Sequence, residues 1–153
     1  MNPNLDDIDL KIIQLLQKDA QMPYTEIAKR VFVSSGTVHV RMRKMKELDI
    51  VKNATLRVNY TKLGYGLTAF LGIFLDKSSV YDNVLNELEQ IPQIIKLNYT
   101  TGNYSMFAEV LCKDTNHLRE ILHDSIQKIN GISRTETIIS LNADIDRGLN
   151  LLS

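Results

Sequence analysis

Ser34-Ser35-Gly36-Thr37-Val38-His39-Val40-Arg41-Met42-Arg43-Lys44-Met45-Lys46-Glu47-Leu48 decides how the first third of this chain folds, because its two faces need different surroundings. At about 100° per residue, Val38, Met42 and Met45 gather on one side of a helix, with Leu48 flanking them. Gly36, Val40, Arg43 and Glu47 point the opposite way, with Thr37, His39 and Lys44 at the shoulders. Ser34 and Ser35 offer N-caps. The inner stripe belongs in a core. The outer face carries hydrogen-bonding groups, one apolar side chain and cations, the chemistry that reads base edges and touches phosphates in a major groove. The candidate DNA contacts are therefore Ser35, Gly36, Thr37, His39, Val40, Arg43 and Lys44. Gly36 is a poor helix former; close approach of backbone to DNA and ordinary N-terminal capping both account for it. His39 reads as a polar surface residue, with no acidic or histidine neighbour at metal-ligand spacing.

Upstream, residues 6–18 place Ile8, Ile12, Leu15 and Leu16 on one helical stripe, with Asp6 or Asp7 as the cap. Residues 20–23 break the pattern. A second helix from Tyr24 or Thr25 to Val31 turns Ile27, Ala28 and Val31 inward, and Phe32-Val33 makes a tight connection to the third. Three short helices with a brief turn between the last two form a helix-turn-helix. Downstream, Ile50-Val51-Lys52-Asn53-Ala54-Thr55-Leu56-Arg57-Val58 reads as short strands with a turn near Asn53. Such a basic hairpin is a wing able to lie along DNA through Lys52 or Arg57; the first strand of a linker is the other reading.

The net charge is zero, but its distribution is uneven. Lys29, Arg30, Arg41, Arg43, Lys44, Lys46, Lys52 and Arg57 are opposed between 29 and 57 only by Glu47 and Asp49, a local excess of +6. That is the footprint to look for in a nucleic-acid binder; a solvated helix face that happens to be basic is the other reading.

Lys62-Leu63-Gly64-Tyr65-Gly66 is the best boundary. The expected organisation is a DNA-binding domain over 1–60, a hinge over 61–66 and a second domain over 67–153. Residues 68–75 are almost continuously apolar and read as a strand. A helix over 79–90 with Val80, Val84, Leu85 and Leu88 on one face ends before Pro92. Residues 94–101 and 104–112 form a hairpin about Gly102-Asn103. A helix over 116–128 turns Leu118, Ile121, Leu122 and Ile126 inward, Gly131 closes it, and 132–141 is a last strand. The order strand, helix, strand, strand, helix, strand is ferredoxin-like, so the fold class is α+β, a winged helix-turn-helix followed by a βαββαβ domain. Both helices of such a domain cover one sheet face. Phe70, Leu71, Ile73 and Phe74 are apolar on both faces of the first strand, so the open face needs a cover. A second copy of the chain supplies one, which predicts a homodimer.

Other classes are excluded. No run of about 18 apolar residues crosses a membrane, the first residues lack a secretory leader pattern, and a single cysteine, Cys112, forms no internal disulfide. These features predict a cytoplasmic protein. His117 and His123 lie about 240° apart around one helix and do not converge on a metal. Cys112 has no neighbouring base, and no phosphate loop or carboxylate pair appears. No enzyme, metal or cofactor is expected.

Over nearly its whole length the chain resembles the Lrp/AsnC, or feast/famine, regulators. The resemblance rests on Leu5-Asp6-Asp7-Ile8-Asp9, Glu26-Ile27-Ala28, Val33-Ser34-Ser35-Gly36-Thr37-Val38-His39-Val40-Arg41 and Leu63-Gly64-Tyr65. Tyr99-Thr100-Thr101-Gly102-Asn103-Tyr104-Ser105-Met106-Phe107 and Thr135-Glu136-Thr137 add to it. Thr37-Val38-His39-Val40-Arg41 and Thr100-Thr101-Gly102-Asn103-Tyr104-Ser105 look most like the asparagine-responsive AsnC branch. The resemblance implies a DNA-binding transcriptional regulator whose dimers assemble further, often to octamers, with amino-acid effectors between dimers. It places the effector at Thr101, Gly102, Asn103, Tyr104 and Ser105, with Glu136 and Thr137 of a neighbouring last strand. The chemistry is compatible: backbone N–H groups and the hydroxyls of Thr101 and Ser105 suit an α-carboxylate, and Glu136 an α-ammonium. A plain hairpin turn is the alternative. Many relatives carry an aspartate where this chain has Ser105, which favours a polar effector, or else a degenerate site and an architectural regulator without an effector.

Overall fold

The computed structural model describes residues 5–152. They divide into two compact units, one of residues 5–57 with 145–152 and the other of 58–144. The C-terminal residues 145–152 thus cluster with the N-terminal unit, not with the sheet they follow in sequence.

In the first unit, helix α1 spans Asp7–Lys18, α2 Tyr24–Val31 and α3 Ser35–Glu47. Asp6 caps α1: its carboxylate accepts from the Ile8 and Asp9 N–H groups, and the Asp9 carboxylate accepts from the Asp6 N–H in return. This reciprocal box satisfies donors that the helix itself leaves open. Helix α2 ends at Phe32, whose left-handed backbone (φ 58°) lets Phe32 and Val33 both donate to the Ala28 carbonyl and turns the chain sharply into α3. Ser34 caps α3 by accepting from the Thr37 N–H. The expected stripe of Val38, Met42 and Met45 is buried, together with Ile12, Ile27, Ala28 and Val31. Ile8, Leu15 and Leu16 pack around this cluster, half-buried. Leu48 stays on the rim, exposed.

The expected strands after α3 do not form: residues 52–59 have no regular structure. A tight hairpin needs central residues in the left-handed region, and Asn53 is not there; among the described residues, Phe32 and Asp49 are the non-glycine ones with positive φ. Lys52, Asn53, Ala54, Thr55, Leu56 and Arg57 are all exposed, and a lone two-stranded ribbon without a core to pack on is marginal in water.

In the second unit, strands β1 (Leu67–Leu75), β2 (Ile94–Tyr99), β3 (Met106–Cys112) and β4 (Ile132–Ile139) form one antiparallel sheet in the order β2-β3-β1-β4. Helix α4 (Tyr81–Leu88) crosses from β1 to β2 after a short 3-10 turn. Helix α5 begins at Thr115–Glu120, widens into a π turn over Ile121–Ser125 and tightens to a 3-10 turn at Ile126–Lys128. Ala69, Leu71 and Ile73 of β1 and Met106, Ala108, Val110 and Cys112 of β3 face the helices. They meet Val84 and Leu88 of α4 and Leu118, Ile121 and Ile126 of the α5 segment in a closed core. This is the expected ferredoxin-like arrangement.

Strand alternation sends Phe70 and Phe74 to the other face. There Phe70 stacks on Phe107 at 5.9 Å between ring centroids, Tyr104 lies 5.7 Å from Phe107, and Phe74 meets Tyr104 edge-on at 5.2 Å. The Arg134 guanidinium sits 3.9 Å over the Phe74 ring. These contacts leave the aromatic side chains half-buried, with no element of the unit packed across the face.

Candidate functional site

The outer face of α3 is laid out as its periodicity requires. Gly36, His39, Val40, Arg43 and Lys44 are exposed, while Ser35 and Thr37 are half-buried. The Thr37 hydroxyl lies 2.8 Å from that of Ser34, so the cap holds it at the helix start. His39 meets the Tyr24 ring edge-on at 4.5 Å, which orients it along the shoulder facing α2. Arg43 has only a loose contact with Glu47 at 4.0 Å. A Cβ built on Gly36 would meet nothing closer than the Ser34 hydroxyl at 3.7 Å. The fold therefore has no steric need for glycine there, and the room its missing side chain leaves opens outward. An open groove of about 670 Å³ is lined by Gly36, Thr37, Val40 and Lys44 of α3 and by Asp6 and Asp9.

The positive patch is more internally compensated than a charge count suggests. Arg30 pairs with Glu26 at 3.1 Å, Lys52 with Asp49 at 3.8 Å, and Arg57 with Asp146 of the C-terminal tail. Exposed pairs of this kind contribute little and rearrange readily, so those cations remain available to phosphates. Arg41 differs. Its Nη1 donates at 2.8 Å to both Asp6 and Asp9, and its side chain is only 25% exposed. The cap N–H of Asp9 and the Arg41 guanidinium hold the Asp6 carboxyl below the usual aspartate range, and the carboxylates of Asp9 and Asp6 push the Arg41 guanidinium up. The cation counted at Arg41 is spent inside the unit.

At the other site, Thr101, Gly102 and Asn103 form an exposed turn, with Gly102 at φ 105°, a conformation glycine adopts without strain. The turn is held from within: the Thr100 hydroxyl donates to the Tyr104 carbonyl at 2.8 Å, and the Ser105 N–H donates to the Ile73 carbonyl at 2.9 Å. The Ser105 hydroxyl accepts from the Leu75 N–H at 3.3 Å, so it also anchors the loop to the end of β1. Tyr104 lies across the open sheet face and donates its hydroxyl to Glu136 at 2.9 Å. That bond, with Glu136's negative charge, raises the phenol's pKa. The structure thus brings Tyr104, Ser105 and Glu136 towards one end of the sheet. Thr137 is separated from them, since it pairs with Leu71 and belongs to the helix-facing side of β4.

Two participants escaped the sequence reading. Gly72 lies beneath the Tyr104 ring, where a Cβ would come within 2.5 Å of ring carbons. A glycine inside an apolar strand is the signal for such a close approach. Arg134 links Phe74 to Glu136, whose carboxylate is 3.5 Å from its guanidinium; nothing in its local sequence marks it.

Comparison with known proteins covers both units. Residues 5–46 match the AsnC-type helix-turn-helix domain and residues 68–148 the Lrp/AsnC ligand binding domain. The regulatory protein AsnC of Haemophilus influenzae is 40% identical over 146 residues, covering 95% of this chain and 97% of its own. The solved structure of Escherichia coli AsnC superposes with a TM-score of 0.92 at 36% identity, covering 97% of this chain and 99% of that one. A Neisseria meningitidis transcriptional regulator, solved as a complex with L-Met, has the same fold at 19% identity, with a TM-score of 0.90 and 94% of each chain covered. The helix-turn-helix, the ferredoxin-like sheet and the extent of these matches place the chain in the Lrp/AsnC family of transcriptional regulators.

Proposed function

We propose that this regulator reads DNA with α3 and adjusts that reading to an amino acid, with L-asparagine the leading candidate. In this reading residues 1–60 bind DNA, 61–66 act as the hinge, and the domain expected over 67–153 carries sensing and assembly through residues 67–144, its last residues clustering with the first unit. Ser35, Gly36, Thr37, His39, Val40, Arg43 and Lys44 meet the duplex. Thr101, Gly102, Asn103, Tyr104 and Ser105 hold the effector, with Glu136 beside Tyr104; Thr137, on the other face of β4, falls outside that set. The observation that carries the sensing half is the Tyr104–Glu136 pair seated over Gly72, a donor and a carboxylate fixed side by side at the edge of an aromatic surface. Such a surface binds the backbone of an amino acid through its charges and the side chain through its edge.

The open sheet face, with Phe70, Phe74 and Phe107, is the surface on which a second copy packs, and the dimers so formed assemble to an octamer. Asparagine is favoured over leucine-type effectors because Ser105 replaces a charge by a neutral hydroxyl at the loop.

A thermal-unfolding screen against the twenty amino acids tests the sensing half. An effector at about 100 times its Kd adds roughly 2.7 kcal/mol, readily seen as a raised midpoint. A rise with asparagine, reduced in Ser105→Ala, is the expected result. No rise with any of them leaves an oligomeric architectural regulator without an amino-acid effector.

A further inference from the structure

We propose that Asp6, Asp9 and Arg41 form a clamp that positions the recognition helix, so that Arg41 serves DNA binding through α1 and not through a phosphate. The inference rests on the reading of α3 as the helix that meets DNA. Arg41 lies in the second turn of α3, and both carboxylates lie at the start of α1, more than thirty residues earlier in the chain. One nitrogen, Nη1, reaches Asp6 Oδ1, Asp6 Oδ2 and Asp9 Oδ1, each at 2.8 Å.

Asp9 is the buried charged residue among the described residues, its side chain only 3% exposed. A carboxylate taken out of water is tolerated only with its partner in place, so this pairing holds α3 at one angle against α1. The same two carboxylates make the reciprocal cap of α1. The start of one helix and the seating of the other are therefore set together, at the wall of the groove lined by Gly36, Thr37 and Val40.

Charge separates this role from direct contact. Two carboxylates against one guanidinium leave the cluster net negative, so it repels a phosphate. On electrostatics alone, removing a carboxylate tightens DNA binding; as part of a clamp, the same removal weakens it. The two roles predict opposite signs.

The test uses a duplex selected from a random-sequence library by the wild-type protein, with binding followed by fluorescence anisotropy across a salt series. Asp6→Asn keeps a good N-cap and loses the charged arm. Arg41→Lys keeps the charge and loses the guanidinium fork. Both are expected to remain folded by circular dichroism and to bind about tenfold more weakly, a change of about 1.4 kcal/mol. The slope of log K against log salt stays at the wild-type value in both. Arg43→Ala, the reference for a phosphate contact, lowers that slope by about 0.9. Should Asp6→Asn unfold, Arg41→Lys, which leaves the cap intact, decides the question. Wild-type or tighter binding by folded Asp6→Asn, or wild-type affinity in Arg41→Lys, overturns the clamp. So does a slope lowered by about 0.9 in Arg41→Gln. If Arg43→Ala weakens binding while the clamp variants do not, the clamp alone fails. If Arg43→Ala changes neither affinity nor slope, the reading of α3 fails and takes the clamp with it.

Discussion

Phe32 holds a left-handed backbone while its ring is 93% exposed, so the strain is offset by no burial. A non-glycine residue in this conformation costs roughly 1–2 kcal/mol. Phe32→Gly is therefore expected to stabilise the fold by about 1 kcal/mol in urea unfolding, after allowing for glycine's greater freedom when unfolded. Gly36 presents the converse case. It is helical and has room for a Cβ, so Gly36→Ala should gain up to about 1 kcal/mol of stability while weakening binding to the selected duplex. An alanine that stabilises and leaves DNA binding unchanged would assign Gly36 to neither fold nor function. Residues such as Val38, Met42 and Met45 were legible because helical period alone buries them. Asp9 was not. Its burial depends on Arg41, a partner in another helix, and no local pattern announces a carboxylate that faces inward.

Elements were legible where a face was one-sided. The stripes of α2 and α3, and those of Val84 and Leu88 and of Leu118, Ile121 and Ile126, placed the two cores correctly, because burying those faces is what makes the elements form. The strands expected over residues 50–58 are absent for the complementary reason: residues 52–59 have strand-like composition but are exposed and lack a left-handed turn. At this scale the cap of α1 carries a pH dependence. The Asp6 carboxyl has its pKa lowered in the folded state, so its stabilising contribution is complete above the unfolded value and is lost as pH falls through the lower folded one. The thermal midpoint of the wild type is thus expected to fall more steeply below about pH 4 than that of Asp6→Asn. In the sheet, Gly72→Ala places a methyl group against the Tyr104 ring. Its expected effect is a loss of about 1–3 kcal/mol with displacement of Tyr104 from Glu136, measured by urea unfolding and by a weakened asparagine-induced shift.

For the whole molecule, the division into two units follows from two separate cores, each closed on its own side chains. The aromatic face left by the second unit is what a homodimer would cover, and sedimentation equilibrium of Phe70→Glu is expected to show smaller assemblies than the wild type. A charge on that face would have to be desolvated for copies to pack there. What the sequence could not convey at this scale is which contacts form between copies, because composition records an apolar face without recording its partner. In the proposed function, an amino acid held by the sheet unit changes how the helix-turn-helix unit holds DNA. The most direct test is the affinity of the wild type for its selected duplex, with a scrambled duplex as control, measured with and without millimolar L-asparagine. The expected result is tight binding to the selected duplex, an affinity that shifts with asparagine, and loss of that shift in Glu136→Gln. Equal affinity for both duplexes, or an affinity indifferent to asparagine, would contradict it.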